Sequence, residues 1–261
     1  MSIHSSAVVS DQADIDPDAT IGPFCVIEGR VAIGAGTVVE SNARIGNPYG
    51  RTTIGRDNLI QHGAVLGGAP QDYGYRQCDT ELVIGDRNRI GEYVSINTGT
   101  EKGGGVTRVA DDVFIMAYSH LGHDCQIEEH VLITNGTQLA GHVTVEKHAK
   151  ISGLSGITQF CRIGTHAFLT AGAFANKDIV PFTIAEGHWA APRAVNRIGL
   201  QRAGFDADEI KNIGRAVAFL VDRSLTIAEV LERIAEECAP SPQIEHFAAF
   251  ISSSERGIAR R

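Results

Sequence analysis

From residue 109 to residue 174 an aliphatic side chain returns every six residues. The series is Val109, Ile115, Leu121, Ile127, Ile133, Leu139, Val145, Ile151, Ile157, Ile163 and Leu169. Four residues after each comes a small or β-branched side chain, from Val113 and Ser119 through Cys125, Thr137 and Ser155 to Ala173. The same frame runs from Ile3 to Ile45, and fragments return at Ile54–Leu66 and Ile84–Ile96. An apolar stripe on a helix recurs every three and four residues, so a helical reading fails. A hexapeptide period signals a β-solenoid. Three hexads make one coil of a triangular prism, with successive coils stacked as parallel strands about 4.8 Å apart. Each coil then buries its aliphatics against its neighbours. The rule for parallel crossovers taken alone predicts a right-handed path.

Composition agrees with a narrow aliphatic prism. The 261 residues are 43% hydrophobic but only 6% aromatic, which allows a large core with little room for rings. The net charge of −8 argues against general nucleic-acid binding, which needs a basic footprint. No apolar run reads as an export signal or approaches the ~18 residues of a membrane span, so no stable membrane insertion is expected. Of five Cys, three (Cys25, Cys125 and Cys161) fall on the small inward position of the repeat and read as core filler. Reduced thiols without an export signal suggest the cytoplasm.

The frame breaks at residues 46–53, read as a short inserted turn, and at 67–83 and 97–108, read as external loops. Loops on a rigid scaffold often carry function. After Ala175 the hexads fade, and from about 191 the pattern turns helical. Asp206 or Asp208, Thr226, and Ser241 followed by Pro242 are the candidate helix caps. The expected division is a β-solenoid over 1–190 and a small α-helical domain over 191–261.

An 18-residue coil turns sequence spacing into vertical neighbours. His123, Gly141 and Gln159 share one column, Asp124, His142 and Phe160 the next, and His120, Gln138 and Gly156 a third. His120, His123, Asp124, His142 and Gln159 should therefore cluster on one edge, with the Gly141 N–H unobstructed. A histidine base, a carboxylate beside it and a free N–H donor are the parts needed for acyl transfer. His130, His148 and His166 form a second ladder, but no acidic or Cys partner joins it, and no metal is expected there. Gln71 and Asp72 sit in the long loop. Between 187 and 205 the charged residues are three Arg (Arg193, Arg197, Arg202) with no Asp or Glu, a stretch suited to an anionic ligand or acidic partner. A prismatic zinc carbonic anhydrase would need a His-x4-His pair, and no two His lie five apart. An ice-binding solenoid would show a flat Thr ladder, which the mixed outward positions lack.

The stretch Met-Ala-Tyr-Ser-His-Leu-Gly-His-Asp-Cys at 116–125 closely resembles the catalytic segment of the UDP-N-acetylglucosamine O-acyltransferases of lipid A biosynthesis. So do Ile-Gly-Pro-Phe-Cys (21–25), Gly-Asp-Arg-Asn-Arg-Ile (85–90), Gly-Gly-Gly-Val-Thr (103–107), Leu-Ala-Gly-His-Val (139–143), Gln-Phe-Cys-Arg-Ile-Gly (159–164) and Arg-Ala-Gly-Phe (202–205). The resemblance implies a mainly β fold, a left-handed parallel β-helix followed by a small α-helical C-terminal domain, assembled as a homotrimer. It implies His123 as general base, Asp124 as its orienting partner and the Gly141 amide as oxyanion donor. Asp72, His120, His142, Gln159 and Asn196 would line the nucleotide-sugar site, and Gln71 is placed with them from its loop. Arg202 would lie near the phosphates or the carrier. The implied substrates are a 3-hydroxyacyl chain on acyl carrier protein and a UDP-sugar, with no cofactor. Ala171 and Trp189 match positions that limit acyl length, and both are bulkier than usual, so medium-length chains are expected. The chain departs from the family pattern at Gly74, Asn97, Thr98, Thr158, Ile198 and Ala203. Several of these touch the acceptor site in the family, so N-acylation of a 3-amino UDP-sugar stands as the alternative reaction.

Overall fold

A computed structural model describes residues 2–260. Most strands are two residues long, such as Phe114–Ile115, His120–Leu121 and Gln126–Ile127. They round the prism in order, and each pairs in parallel with the strand one coil on. His120 faces Gln138 and Gln138 faces Gly156, a register of 138 − 120 = 18 residues. One 11-stranded sheet forms one face of this left-handed parallel β-helix. A 15-stranded sheet covers the other two faces, because Val26–Ile33 and Arg44–Ile54 continue around a corner. The inward aliphatics are buried from Ile15 on, with Ile115, Leu121, Ile133 and Leu139 at 0% exposure, while Ile3 and Val9 of the first coil are half-buried.

The corners explain the hand. From Phe24 on, most turns carry a residue at positive φ, among them Tyr118 (62°), Asp124 (62°), His130 (58°), His142 (61°) and His148 (60°). Asp, Asn and His tolerate this left-handed region better than most side chains. The right-handed crossover rule draws its force from strand twist. Strands of two residues accumulate little twist, so that rule has little hold here.

The insertion at 46–53 is not a separate turn. It belongs to the continuous 11-residue strand Arg44–Ile54. Within that strand the Asn47 carboxamide accepts N–H bonds from Tyr49 and Gly50, both at 2.8 Å. The two longer insertions leave the prism between Gly68 and Glu81 and between Asn97 and Val106. Their strands still stack in register, Ser95 on Val65 and on His120.

The helical pattern also starts later than residue 191. Ala191–Val195 is a strand, antiparallel to Thr183–Glu186. Helices follow as α1 (Arg197–Arg202), α2 (Ala207–Val221), α3 (Ile227–Glu237) and α4 (Pro242–Ser252). Asp206, Thr226 and Ser241 cap α2, α3 and α4, and Thr226 forms a capping box with Glu229. Each such cap contributes about 1 kcal/mol. The helical core includes Leu200, Ile213, Leu220, Val230 and Phe247, and draws in Val180 and Phe182 from the last coil. Among the described residues no helix is long and apolar enough to cross a membrane.

Candidate active site

The corner between the His120–Leu121 and Gln126–Ile127 strands builds the site. At its apex Asp124 adopts positive φ, which sets its carboxylate against the preceding side chain. His123 Nδ1 lies 2.8 Å from Asp124 Oδ2, with the two side chains 10% and 1% exposed. The Asp124 carboxylate accepts two further bonds from Thr100, from its N–H at 2.9 Å and its hydroxyl at 2.7 Å. Thr107 fixes the Asp124 backbone N–H at 2.7 Å. A carboxylate held this way orients the imidazole and favours the tautomer with hydrogen on Nδ1, leaving Nε2 to take a proton.

One coil on, Gly141 lies under the His123 ring. A Cβ at Gly141 would come within 2.5 Å of His123 Cε1 and 2.6 Å of Nε2, so only glycine fits. The Gly141 carbonyl accepts from Phe160. Its N–H donates to no backbone acceptor among the described residues, as an oxyanion donor requires. His142 stands edge-on to His123, with centroids 4.9 Å apart, and stacks on Phe160 at 4.4 Å. Burial pushes the His142 imidazole down, and the Asp124 charge opposes this. Burial likewise lowers His120, whose Nδ1 contacts Ser95 Oγ at 2.7 Å.

A groove of about 430 Å³ opens beside this corner and is lined by Gln71, Asn97, His120, His123, Gly141 and Gln159, with Phe174 at its far end. The Phe174 ring leans over Gly156, where a Cβ would come within 2.7 Å of it. The expected cluster of His120, His123, Asp124, Gly141, His142 and Gln159 thus meets on one edge, with Gln71 at the groove wall. Asp72 lies on the exposed loop and acts electrostatically on His142, while its carboxylate accepts the Gly74 N–H at 2.9 Å.

The other expected residues lie elsewhere. Asn196 caps α1 through Gly199, and its Nδ2 donates to the His166 carbonyl at 2.9 Å, on the edge of the His130–His148–His166 ladder. Arg202 is in the last turn of α1. Arg193 is paired with Glu186, which reduces the basic stretch read from sequence. Ala171 and Trp189 do not line the groove of the single chain. The ladder rings stack at 4.9 and 4.7 Å with planes 6° and 12° apart. Parallel rings direct their in-plane lone pairs side by side rather than to one point. The group whose ligand atoms do converge, all within 4.8 Å of one another, is His123, Asp124 and His142. Burial pushes the Cys125 thiol up to about 12, consistent with inert core filler.

Sequence spacing did not reveal Thr100, Thr107 or Phe174. Thr100 comes from an extruded loop, where the 18-residue arithmetic is interrupted, whereas Thr107 lies just before Arg108, which pairs with Gln126 in the 18-residue register, and acts through its hydroxyl on the Asp124 N–H. Phe174 lay in the frame at an outward position, but only its contact with Gly156 shows that it ends the groove.

A hexapeptide prism with a carboxylate-held histidine over a bare glycine amide defines a hexapeptide-repeat transferase. The model described as bacterial transferase hexapeptide (six repeats) matches residues 3–47 and 107–141. The model described as UDP N-acetylglucosamine O-acyltransferase, domain 2, matches residues 178–259. A protein of Stenotrophomonas maltophilia strain R551-3, named acyl-(acyl-carrier-protein)–UDP-N-acetylglucosamine O-acyltransferase, is 43% identical over 259 residues, 99% of this chain and 97% of its own. One of the same name from Anaeromyxobacter sp. strain K is 42% identical, with 100% of both chains covered. The solved UDP-N-acetylglucosamine acyltransferase of Francisella novicida has a TM-score of 0.93 at 39% identity, covering 99% of this chain and 94% of that one. That of Bacteroides fragilis has a TM-score of 0.95 at 35% identity, covering 99% and 100%. The chain belongs to the UDP-N-acetylglucosamine O-acyltransferase family.

Proposed function

We propose that the chain transfers a 3-hydroxyacyl group from acyl carrier protein to the 3-hydroxyl of UDP-N-acetylglucosamine, the first step of lipid A biosynthesis. The observation that carries this reading is His123, held by Asp124 at 2.8 Å beside the Gly141 amide at the groove. His123 Nε2 takes the proton of the sugar hydroxyl as its oxygen attacks the thioester carbonyl. The tetrahedral intermediate places its oxyanion on the Gly141 N–H. Its collapse expels the carrier thiolate, to which the imidazolium returns the proton. His120, His142, Gln159, Gln71 and Asp72 position the sugar nucleotide.

Asn196 and Arg202 belong to the same site in this reading, yet they stand by a different edge of the prism from His123. A neighbouring copy supplies them, in a closed ring of three subunits with a site at each junction. The prism, closed by the strand Ala191–Val195, acts as the catalytic part, and the helices from Arg197 onward form the unit that carries Arg202 and receives the carrier protein. In this reading the work is done in the cytoplasm.

The test is incubation of the purified protein with 3-hydroxyacyl carrier protein and UDP-N-acetylglucosamine, read by mass spectrometry. An acylated nucleotide sugar, labile to mild base as an ester, is expected. Turnover of only the 3-amino sugar, giving a base-stable amide, would overturn the O-acyl assignment.

A further inference from the structure

The geometry points to Thr100 as a positioning residue that sets the charge and aim of the His123–Asp124 pair. The inference rests on reading His123 as the base. Thr100 is 3% exposed and belongs to the loop extruded after Asn97, not to the coil that carries His123. Its N–H donates to Asp124 Oδ1 at 2.9 Å, and its hydroxyl donates to Oδ2 at 2.7 Å. The same oxygen Oδ2 faces His123 Nδ1 at 2.8 Å. One threonine therefore grips both carboxylate oxygens, and one of those grips is shared with the imidazole.

The direction of the Thr100 hydroxyl is itself fixed. Its oxygen accepts the Gly103 N–H at 3.1 Å, which leaves its hydrogen for Asp124. The loop is moulded onto this carboxylate, since a Cβ at Gly103 would come within 2.2 Å of Asp124 Cγ and Oδ2. Two consequences follow. The carboxylate is locked in the plane that presents Oδ2 to His123. In addition, Oδ2 shares its negative charge between two donors, so Asp124 steadies the imidazolium without immobilising the proton on it. Capping the short 3-10 turn Glu101–Gly103 needs only a side-chain acceptor. The donation to Oδ2 is extra to that task.

Thr100→Val keeps the shape and removes the hydroxyl. It should lower kcat by about 10-fold or more, the worth of one hydrogen bond to a charged group, with KM for the sugar nucleotide unchanged. Thr100→Ser, which restores the hydroxyl, should return kcat to within about twofold. In an Asp124→Asn background the valine change should cost nothing further, because its target is gone. Should valine prevent folding, Thr100→Ala is read the same way. A normal kcat in the hydroxyl-free variant, failure of serine to rescue, or an undiminished cost beside Asp124→Asn would each overturn the inference. The site reading fails separately: full activity in His123→Ala would remove the base itself, whereas an inactive His123→Ala beside a fully active Thr100→Val removes only the role of Thr100.

Discussion

The His123 ring occupies the space that any side chain on Gly141 would need, 2.5 Å from where a Cβ would stand. Gly141→Ala therefore displaces the base and screens the amide together. An expected outcome is a fall in kcat of about 100-fold or more, the range for losing one oxyanion donor, with little change in melting temperature. Steady-state kinetics beside thermal denaturation check it. Activity within threefold of the parent would show that a Cβ there neither displaces the base nor screens the amide.

His123→Ala should lower kcat by at least the ~10²–10⁴ that a general base contributes. The prism should be unaffected, since the ring lies at a corner rather than in the aliphatic core. Circular dichroism and sedimentation should match the parent protein. The assignment would not survive a variant that turns over at the normal rate.

Stability should fall in mild acid. Burial pushes the His166 imidazole down to about 4, and nearby His148, Lys147 and Lys150 act in the same direction. Between its ordinary 6.5 and about 4, the unfolded chain holds a proton that the folded chain lacks. Lowering the pH through that window therefore costs stability, by up to about 1.4 kcal/mol per pH unit for one proton. Below the window the slope vanishes. His166→Phe keeps the stacked ring and should flatten the dependence, as read by denaturant melts at stepped pH. An unchanged slope would assign the acid sensitivity to another group.

Glu146 joins the prism to the helices. Its carboxylate is 6% exposed and receives Arg162 at 3.2 Å, the Thr165 N–H at 2.9 Å and His246 of α4 at 2.8 Å. Burial raises this carboxyl, and the His246 and Thr165 bonds outweigh that and hold it below its usual range. Glu146→Ala leaves these donors unpaired and should cost about 3 kcal/mol, the lower end for a broken buried pair because water reaches Arg162. The measurement is chemical denaturation. A cost under 1 kcal/mol would mean that the helices dock without need of this buried carboxylate.

Acyl length should be set at the Phe174 end of the groove. Medium-length 3-hydroxyacyl donors are expected to outcompete the longest, since each methylene left unburied forfeits about 0.8 kcal/mol. Phe174→Ala should extend the preference, and by more than Ala171→Gly, because Phe174 lines the groove and Ala171 does not. Competition between donors of different length decides this. An unchanged preference in both variants would place the limit elsewhere, for instance near Trp189.

The prism and one edge of the site were legible in the sequence because a coil of constant length makes position equivalent to location. His123 over Gly141 and Asp124 beside His142 follow from counting to 18. Counting fails wherever chain leaves the prism. Thr100 reaches Asp124 from an extruded loop, and no period places it there. The strand Ala191–Val195 was hidden for another reason. It pairs antiparallel with Thr183–Glu186, so it is held by its neighbour and carries no hexad pattern of its own. Asn196 and Arg202 matched a motif, but the motif says nothing of which edge they approach.

The constant register also limits how such a gene can change length. Removing six residues from the stretch between His123 and Gly141 would rotate everything downstream by one face and carry the glycine away from the histidine. Removing 18 would bring Gln159 to the place of Gly141. Lineages of this prism are therefore free to lengthen only where the added residues bulge outward at a corner, as they do after Gly68 and Asn97. Alignment gaps among its relatives should gather at those corners and be absent from the run between Val109 and Ala175.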